Sequence, residues 1–185
     1  MMIFYIALVV FAIISLIELN PNRFKKASPY KKTDKFSGGF ITLASAFVGL
    51  LSIVDKIFNL FPINTGANDL VIIFGLVLFI SGFFIRYLAI KELGTNFNYA
   101  IAPIRELKTK GIYKKIRHPS YLGTILYSVG VPFMFLSKLG FFATLIVIIS
   151  ILYRIKLEEL FLERTVGNSY LNYKNKTYKL IPHVY

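Results

Sequence analysis

Five long apolar stretches constrain this 185-residue chain more than any other feature of its sequence. They cover residues 1–19, 40–61, 70–90, 121–137 and 139–153. A helix needs about 17–25 mostly apolar residues to cross a bilayer. The fifth stretch is short alone, but a helical pattern continues through residues 154–166, as expected of a helix that leaves the membrane. We therefore predict an all-α integral membrane protein with about five transmembrane helices.

The composition excludes a soluble enzyme. Only 17% of the residues are charged and 56% are hydrophobic, whereas a typical soluble domain has about 25% charged residues. So few charges could not cover a soluble surface. The 22 Lys and Arg residues outnumber the 9 Asp and Glu residues, but nearly all of them lie between the apolar stretches or after the last one. Because a nucleic-acid binder gathers its basic residues on one soluble face, we expect no nucleic-acid partner.

The basic residues alternate along the chain in a way that predicts its topology. The first and third connections and the C-terminal segment hold six, seven and six Lys or Arg residues, whereas the second and fourth connections hold none and one. Basic residues collect on the cytoplasmic side, so we expect the N-terminus outside and the C-terminus inside. The first stretch has no basic n-region and no small-residue cleavage site, which favours an uncleaved helix over a signal peptide.

The chain is predicted to form a single membrane domain, residues 1–185. Residues 1–69 would be an N-terminal two-helix part. Residues 70–185 would be a catalytic part with the third span, a long cytoplasmic loop, a helical hairpin, a C-terminal helix and a tail. Pro62 is expected to end the second helix. The chain has no cysteine and two histidines, which argues against a thiolate or histidine metal site.

The third connection, residues 91–119, is the most informative segment. It is long for a loop in a compact protein, and such loops are usually functional or disordered. Its apolar side chains argue against disorder. Residues 97–101 alternate between apolar and polar and are expected to be extended, and Lys110-Gly111 predicts a turn. We expect this segment to fold back over the cytoplasmic face and form a cofactor-binding loop.

A compact motif follows at residues 117–123, Arg-His-Pro-Ser-Tyr-Leu-Gly. His118 is expected to be extended because it precedes a proline, and Pro119 suits the first turn of the fourth helix. Tyr121 would lie at interface depth. The motif is compatible with a basic, aromatic membrane anchor. Taken alone, it favours the membrane anchor, although it would also suit an anion or polar-ligand site at a helix N-terminus.

A second cluster lies just after the fifth stretch. Glu158 and Glu159 follow Arg154 there, and Glu163 is one turn further on. One interpretation is a solvated helix with an attractive Arg154–Glu158 pair and a repulsive Glu159–Glu163 pair. The other is a pair of carboxylates that binds a ligand cation, such as an ammonium or a sulfonium.

Arg86 and Asp55 are among the few charged residues within the apolar stretches. Arg86 is near the inner end of the third stretch, where it could extend to the headgroups or clamp a carboxylate or phosphate inside the bundle. Asp55 is near the outer end of the second stretch. We expect Asp55 to reach the interface or to pair locally.

The residues from 82 onward resemble the isoprenylcysteine carboxyl methyltransferases, a family of integral membrane enzymes. Three pieces carry the resemblance, in the order and spacing that the family has. They are residues 86–89 with 94–98, residues 107–113 with 117–123, and Glu158-Glu159 followed by Gly167, Tyr170, Tyr173 and residues 180–182. Phe83 stands where the eukaryotic members have Glu.

The resemblance implies S-adenosylmethionine bound in a cytoplasmic-side pocket, and a lipophilic or prenylated acceptor that enters from the surrounding membrane lipids. Residues implied to bind the cofactor are Leu107, Thr109, Gly111, Tyr113, His118, Pro119, Tyr121, Leu122, Glu158 and Glu159, the last two at its charged end. Arg86 and Arg154 would orient the acceptor, the carboxylate of an isoprenylcysteine-like substrate.

Three further functions are compatible with the residues. The chain could methylate a phospholipid amine or a thiol, with Glu158 as the base. It could be a membrane reductase that uses the Arg-His-Pro-Xaa-Tyr region for NADPH. It could also be a non-enzymatic scaffold whose basic loops bind anionic lipid.

Overall fold

Helices account for almost all regular structure in this computed structural model, which describes residues 2–19, 37–63, 67–97, 101, 103–104 and 106–182. Within that part the α-helices are α1 (Met2–Leu19), α2 (Ser37–Phe58), α3 (Asn68–Leu93), α4 (Pro119–Phe135), α5 (Lys138–Val166) and α6 (Asn168–Lys174). Two short 3-10 helices cover Gly94–Asn96 and Gly111–Lys114. The described residues include isolated β-bridges but no strand, so the all-α prediction is confirmed.

Each predicted apolar stretch forms a helix over most of its length, but the helices differ in the length of their apolar part. The helical segments Gly38–Phe58, Asn68–Leu93 and Lys138–Val166 are long and apolar enough to cross a bilayer. The apolar part of α1, Ile3–Ile17, is shorter, and α4 has 17 residues. The count of five spans stays a prediction.

Local backbone conformation determines the helix ends more than the apolar pattern does. The prediction that Pro62 ends the second helix was wrong by several residues: α2 ends at Phe58, and Asn59 has a φ of 52°. Asparagine adopts this left-handed conformation more readily than most residues. Pro119 is the first residue of α4, as predicted, and α5 continues to Val166. Most of the predicted extended segment, residues 98–100, lies outside the described residues.

Glycines bring the backbones of α3 and α4 into direct contact. A Cβ added to Gly82 would lie 2.6 Å from the Gly123 carbonyl oxygen, and one added to Gly75 would lie 2.8 Å from that of Gly130. Small residues at such crossings allow close helix packing within a membrane. Arg86, one turn after Gly82, is thereby held against the first turns of α4.

Asp55 stabilises the opposite end of the helix bundle by hydrogen bonds. It is completely buried, so of the two expected alternatives the structure shows local pairing and not exposure at the interface. Its carboxylate accepts hydrogen bonds from Ser137 Oγ at 2.6 Å, from the Phe61 amide at 2.6 Å and from the Leu139 amide at 3.2 Å. These bonds join the end of α2 to the tight turn between α4 and α5, where a buried charge is stabilised by several donors.

The C-terminal tail runs beside the segment that leads into α4. The Arg117 amide donates to the Tyr178 carbonyl at 2.8 Å, and the His118 amide donates to the Lys179 carbonyl at 3.0 Å. The Tyr178 amide in turn donates to the Lys115 carbonyl at 2.9 Å. The tail therefore covers the N-terminal end of α4 and places α6 close to the third connection.

Candidate active site

A cavity opens where the start of α4 meets the third connection, α5 and α6. It has a volume of about 1200 Å³, its open mouth included. Its charged and polar wall residues are Arg86, Asn96, Glu106, Lys108, Arg117, His118, Ser120, Thr124, Arg154 and Glu158. Its aromatic residues are Phe97, Tyr113, Tyr121, Tyr127, Phe161, Tyr170 and Tyr173, and its apolar residues include Leu93, Ile101, Ile104, Leu107 and Leu162. The start of α2 contributes Gly38, Ile41 and Thr42.

The residues singled out from the sequence divide into two sets. Those in the cavity wall are Arg86, Leu107, Tyr113, His118, Tyr121, Arg154 and Glu158. Those outside the wall are Thr109, Gly111, Pro119, Leu122 and Glu159. Thus the structure brings together residues from α3, α4, α5 and the third connection that are up to 72 positions apart in sequence (158 minus 86).

Arg86 lies inside the bundle. It is only 9% exposed, and its Nη1 donates to Ser120 Oγ at 2.9 Å and to Thr124 Oγ1 at 3.2 Å. Ser120 and Thr124 are one turn apart on α4, so both hydroxyls face the same side of that helix. A guanidinium held in this way has a fixed orientation in the cavity wall and is suited to bind a carboxylate or phosphate.

Tyr121 joins the second arginine to the first glutamate. Its hydroxyl accepts a hydrogen bond from Arg154 Nε at 2.6 Å and donates one to Glu158 Oε2 at 2.7 Å. The Tyr121 ring also stacks on His118, with ring centroids 5.7 Å apart. The predicted Arg154–Glu158 attraction therefore includes a tyrosine from α4, and the three groups form one polar chain.

Glu159 has a different environment from Glu158, although the two are adjacent in α5. Its Oε1 accepts from Arg117 Nε at 2.9 Å and lies 3.3 Å from His118 Nε2. Lys174 Nζ is 3.8 Å from the other oxygen of Glu159 and also pairs with Glu163. This lysine relieves the repulsion predicted between the two glutamates. Glu159 is 5% exposed, so it forms a buried ion-pair cluster behind the cavity wall.

Arg117 connects this cluster to the tail. Besides Glu159, its guanidinium donates to the carbonyl oxygens of Lys174, at 2.9 Å, and Thr177. A buried arginine with this many acceptors is well compensated for its loss of hydration. Arg117 and Glu159 therefore hold the end of α6 and the tail against α5.

Tyrosines fix the third connection to the rest of the site. Tyr113 donates to the Ala89 carbonyl at 3.3 Å, and Tyr173 donates to the Tyr113 carbonyl at 2.7 Å. Burial raises the pKa of Tyr113, and it raises the pKa of Tyr173 to about 12. Both hydroxyls are therefore protonated at neutral pH and act as donors.

Two of the predicted residues outside the wall determine backbone shape. Gly111 has a φ of 55°, which favours glycine, and a Cβ added there would lie 2.9 Å from the carboxyl carbon of Glu92. It begins the short helix that carries Tyr113. Pro119 occupies the first position of α4, where a missing amide hydrogen has no cost.

Several wall residues were missed from the sequence. Ser120 and Thr124 could have been found, since their spacing of four on α4 marks a polar stripe that continues to Ser128. Tyr170 and Tyr173 supported the family resemblance but were not assigned to the cavity. The residues of α2 had no local signal, because nothing in residues 38–42 distinguishes a wall from any other helix start.

The wall combines buried arginines, the half-buried carboxylate of Glu158 and a large apolar surface. Such a cavity can hold a ligand that has both a cationic and an anionic group, or two ligands of opposite charge. Among the residues the structure describes, no group of three His, Cys, Asp or Glu side chains could hold a metal ion.

Comparisons with known proteins find similarity to methyltransferases. A family model described as phospholipid methyltransferase matches residues 70–169, more than half of the chain. Protein-S-isoprenylcysteine O-methyltransferase A of Arabidopsis thaliana is 35% identical over 116 residues, which are 60% of this chain and 59% of the relative. The Saccharomyces cerevisiae protein-S-isoprenylcysteine O-methyltransferase is 31% identical over 127 residues, 64% of this chain and 52% of the relative.

A solved structure has the same fold over most of the chain. The eukaryotic intramembrane Ras methyltransferase ICMT (isoprenylcysteine carboxyl methyltransferase) matches with a TM-score of 0.62 and 26% identity, and the match covers 82% of this chain and 55% of that one. The chain thus spans less than two thirds of these relatives. The resemblance to isoprenylcysteine carboxyl methyltransferases is confirmed, and the chain is an integral membrane protein. Since the family model covers more than half of its residues, the chain belongs to the phospholipid methyltransferase family.

Proposed function

We propose that this chain is a membrane methyltransferase that transfers a methyl group from S-adenosylmethionine to the carboxylate of a lipophilic, isoprenylcysteine-like acceptor. The observation that carries the proposal is the placement of Glu158 and the buried Arg86 and Arg154 in the wall of one cavity. A carboxylate there suits a cationic methyl donor, and arginines suit an anionic acceptor. The names of the curated relatives support the same reaction.

The cavity wall fits the methyl donor chemically. Glu158 is half-buried and accepts one hydrogen bond from Tyr121, so a carboxylate oxygen remains to bind the ammonium of the donor's amino-acid end. Leu107 and Phe161 provide apolar surface suited to the adenine ring. We assign Glu159 an indirect role in the site, since it holds Arg117 and His118 from behind.

The remaining predicted residues would shape this part of the wall. Thr109 and Gly111 would position the third connection, and Pro119 and Leu122 would position the first turn of α4. Tyr113 and His118 would contact the donor directly, since both belong to the wall.

The arginines would align the acceptor. Arg86 is fixed by Ser120 and Thr124, and a carboxylate bound to it would keep one oxygen free to react. When bound, S-adenosylmethionine supplies an electrophilic methyl carbon, which bonds to that oxygen as the sulfur–carbon bond breaks and its electron pair stays on sulfur. No proton moves, so the protein needs no base. Its contribution is alignment and exclusion of water.

The cavity would open to the cytoplasmic side, with the N-terminus of the chain outside. The loop charges support this orientation. Residues 70–185 would carry the chemistry, and the start of α2 would add to the wall of the cavity. An acceptor with a long apolar chain could then remain in the membrane lipids while its carboxylate reaches Arg86.

A second candidate is methylation of a phospholipid amine, which the description of the matched family model favours. An ammonium acceptor must lose a proton before it can attack, and Glu158 would be the base in this wall.

The proposal is tested by incubating membranes that contain the chain with radiolabelled S-adenosylmethionine, followed by separate extraction of lipid and protein. Label that alkali releases as methanol indicates a methyl ester and supports the carboxylate acceptor. Label on a phospholipid headgroup that resists alkali favours the second candidate.

A thermal-shift comparison of S-adenosylmethionine with NADPH distinguishes a methyltransferase from a reductase and from a lipid-binding scaffold. We expect S-adenosylmethionine to raise the melting temperature and NADPH to leave it unchanged. Stabilisation by NADPH alone would indicate a reductase, and stabilisation by neither would favour a scaffold.

A further inference from the structure

Tyr170 belongs to the wall of the cavity, and its hydroxyl is buried without a hydrogen-bond partner in the protein. The residue is 1% exposed, and its oxygen is among the few buried polar side-chain atoms, within the described residues, that lack a partner. Ser52 and Ser128 share this property but do not line the cavity. An unsatisfied buried hydroxyl costs about 1–3 kcal/mol, so native proteins keep few of them.

The fold does not require this hydroxyl. The Tyr170 ring packs near Tyr173, with centroids 6.2 Å apart, and the Tyr170 amide donates to the Gly167 carbonyl at 3.0 Å. The helix that carries it is held by other bonds, from Arg117 to the Lys174 carbonyl and from Tyr173 to the third connection. Phenylalanine would keep the ring packing and the backbone hydrogen bond that Tyr170 makes.

The surroundings of the hydroxyl indicate what it can bind. Burial raises the pKa of Tyr170, and the nearby Glu159 and Glu158 raise it further, so the group stays protonated and can donate. The positive charge of the nearby Arg117 has the opposite effect and lowers the pKa of Tyr170. Glu158 lies in the same wall. A zwitterionic amino-acid group fits this arrangement, with its ammonium at Glu158 and its carboxylate at the Tyr170 hydroxyl.

We propose that Tyr170 binds the methyl donor by donating a hydrogen bond to the carboxylate of its amino-acid end. The inference rests on the proposed function and adds a recognition element to it. It explains why a buried tyrosine in the cavity wall has no internal partner, whereas its neighbours Tyr113, Tyr121 and Tyr173 each have one.

The test is a double-mutant cycle between protein and ligand, measured by calorimetry on the full chain in detergent. Its components are wild type and Tyr170→Phe, with S-adenosylmethionine and its decarboxylated form. We expect Tyr170→Phe to lower the affinity for S-adenosylmethionine about tenfold. The affinity for the decarboxylated form should stay within about twofold of the wild-type value. Equal losses for both ligands, or no loss for either, would overturn the inference.

Tyr173→Phe is the matched control, since it removes a hydroxyl that has a protein partner. We expect Tyr173→Phe to lower the melting temperature of the ligand-free protein, and Tyr170→Phe to leave it unchanged or raise it. A melting temperature that falls equally in both variants would assign Tyr170 a structural role and contradict the inference. If wild type binds S-adenosylmethionine and only the Tyr170 result fails, the proposed function stands. If wild type binds neither ligand, both fail.

Discussion

The Tyr121 hydroxyl donates a hydrogen bond to Glu158 Oε2 at 2.7 Å and so connects α4 to the helix that follows the fifth apolar stretch. Because the same hydroxyl accepts from Arg154, it lies between the cation that we propose binds the acceptor and the anion that we propose binds the methyl donor. The two proposed binding roles thus share one polar chain. Their geometry depends on a side chain that belongs to neither charged residue.

Tyr121→Phe is expected to weaken binding of S-adenosylmethionine about tenfold, because Glu158 loses the bond that orients it and Arg154 Nε loses an acceptor. Calorimetry on the detergent-solubilised protein measures this. Tyr153→Phe, which alters a tyrosine that is 62% exposed on the same helix as Glu158, serves as the control and should bind as wild type does. Unchanged affinity in Tyr121→Phe would contradict a role for the polar chain.

Glu158→Gln and Glu159→Gln should separate binding from stability. Glu158→Gln removes the charge in the cavity wall, so we expect weaker cofactor binding at nearly unchanged melting temperature. Glu159→Gln leaves the buried Arg117 without its carboxylate, which should cost about 3 kcal/mol of unfolding free energy. Thermal melts and titrations of both variants test this pair. If Glu158→Gln lowered the melting temperature and Glu159→Gln weakened cofactor binding, the roles assigned to the two glutamates would be exchanged.

Gly82→Ala is expected to destabilise the protein by about 1–3 kcal/mol, because the added methyl group would meet the backbone of α4. Activity should fall as well, since Arg86 would be displaced from Ser120. Gly39→Ala is the control, because a Cβ at Gly39 meets nothing within 4 Å. Thermal denaturation of both variants in detergent is the measurement, and equal melting temperatures would disprove the close helix contact.

Asp55→Ala is expected to lower the unfolding free energy by about 2–3 kcal/mol, since it leaves the Ser137 hydroxyl and two backbone amides without their acceptor. Asp55 does not line the cavity, so the affinity of the folded protein for S-adenosylmethionine should not change. Asp69→Ala, at an exposed position in the first turn of α3, should have little effect on either. A selective loss of affinity in Asp55→Ala would contradict a purely structural role.

The fold class could be predicted because apolar stretches of this length have few ways to satisfy their backbone groups other than as helices. Helix ends were harder to predict, since α2 ends at Phe58, before the left-handed Asn59, and not at Pro62. These ends depend on local backbone conformations that apolar periodicity does not describe.

The site was predicted unevenly for a physical reason. Motif residues such as Arg86 and His118 could be found from their chemistry and spacing. The sequence does not distinguish Glu158 from Glu159, because adjacent helix positions differ by about 100° in direction and only packing decides which one meets the cavity. The α2 wall and the α3–α4 glycine contacts are relations between helices, so they need the tertiary structure.

Methyl transfer to a matched pair of acceptors decides whether the cavity is a carboxyl methyltransferase site. Purified chain would be assayed with S-farnesylcysteine derivatives that carry either a free carboxylate or the corresponding carboxamide, in wild type and in Arg86→Gln. We expect an alkali-labile methyl ester on the carboxylate, no product from the carboxamide, and a kcat/KM about 100-fold lower in Arg86→Gln. Equal turnover of the two acceptors, or undiminished activity in Arg86→Gln, would contradict the proposed function.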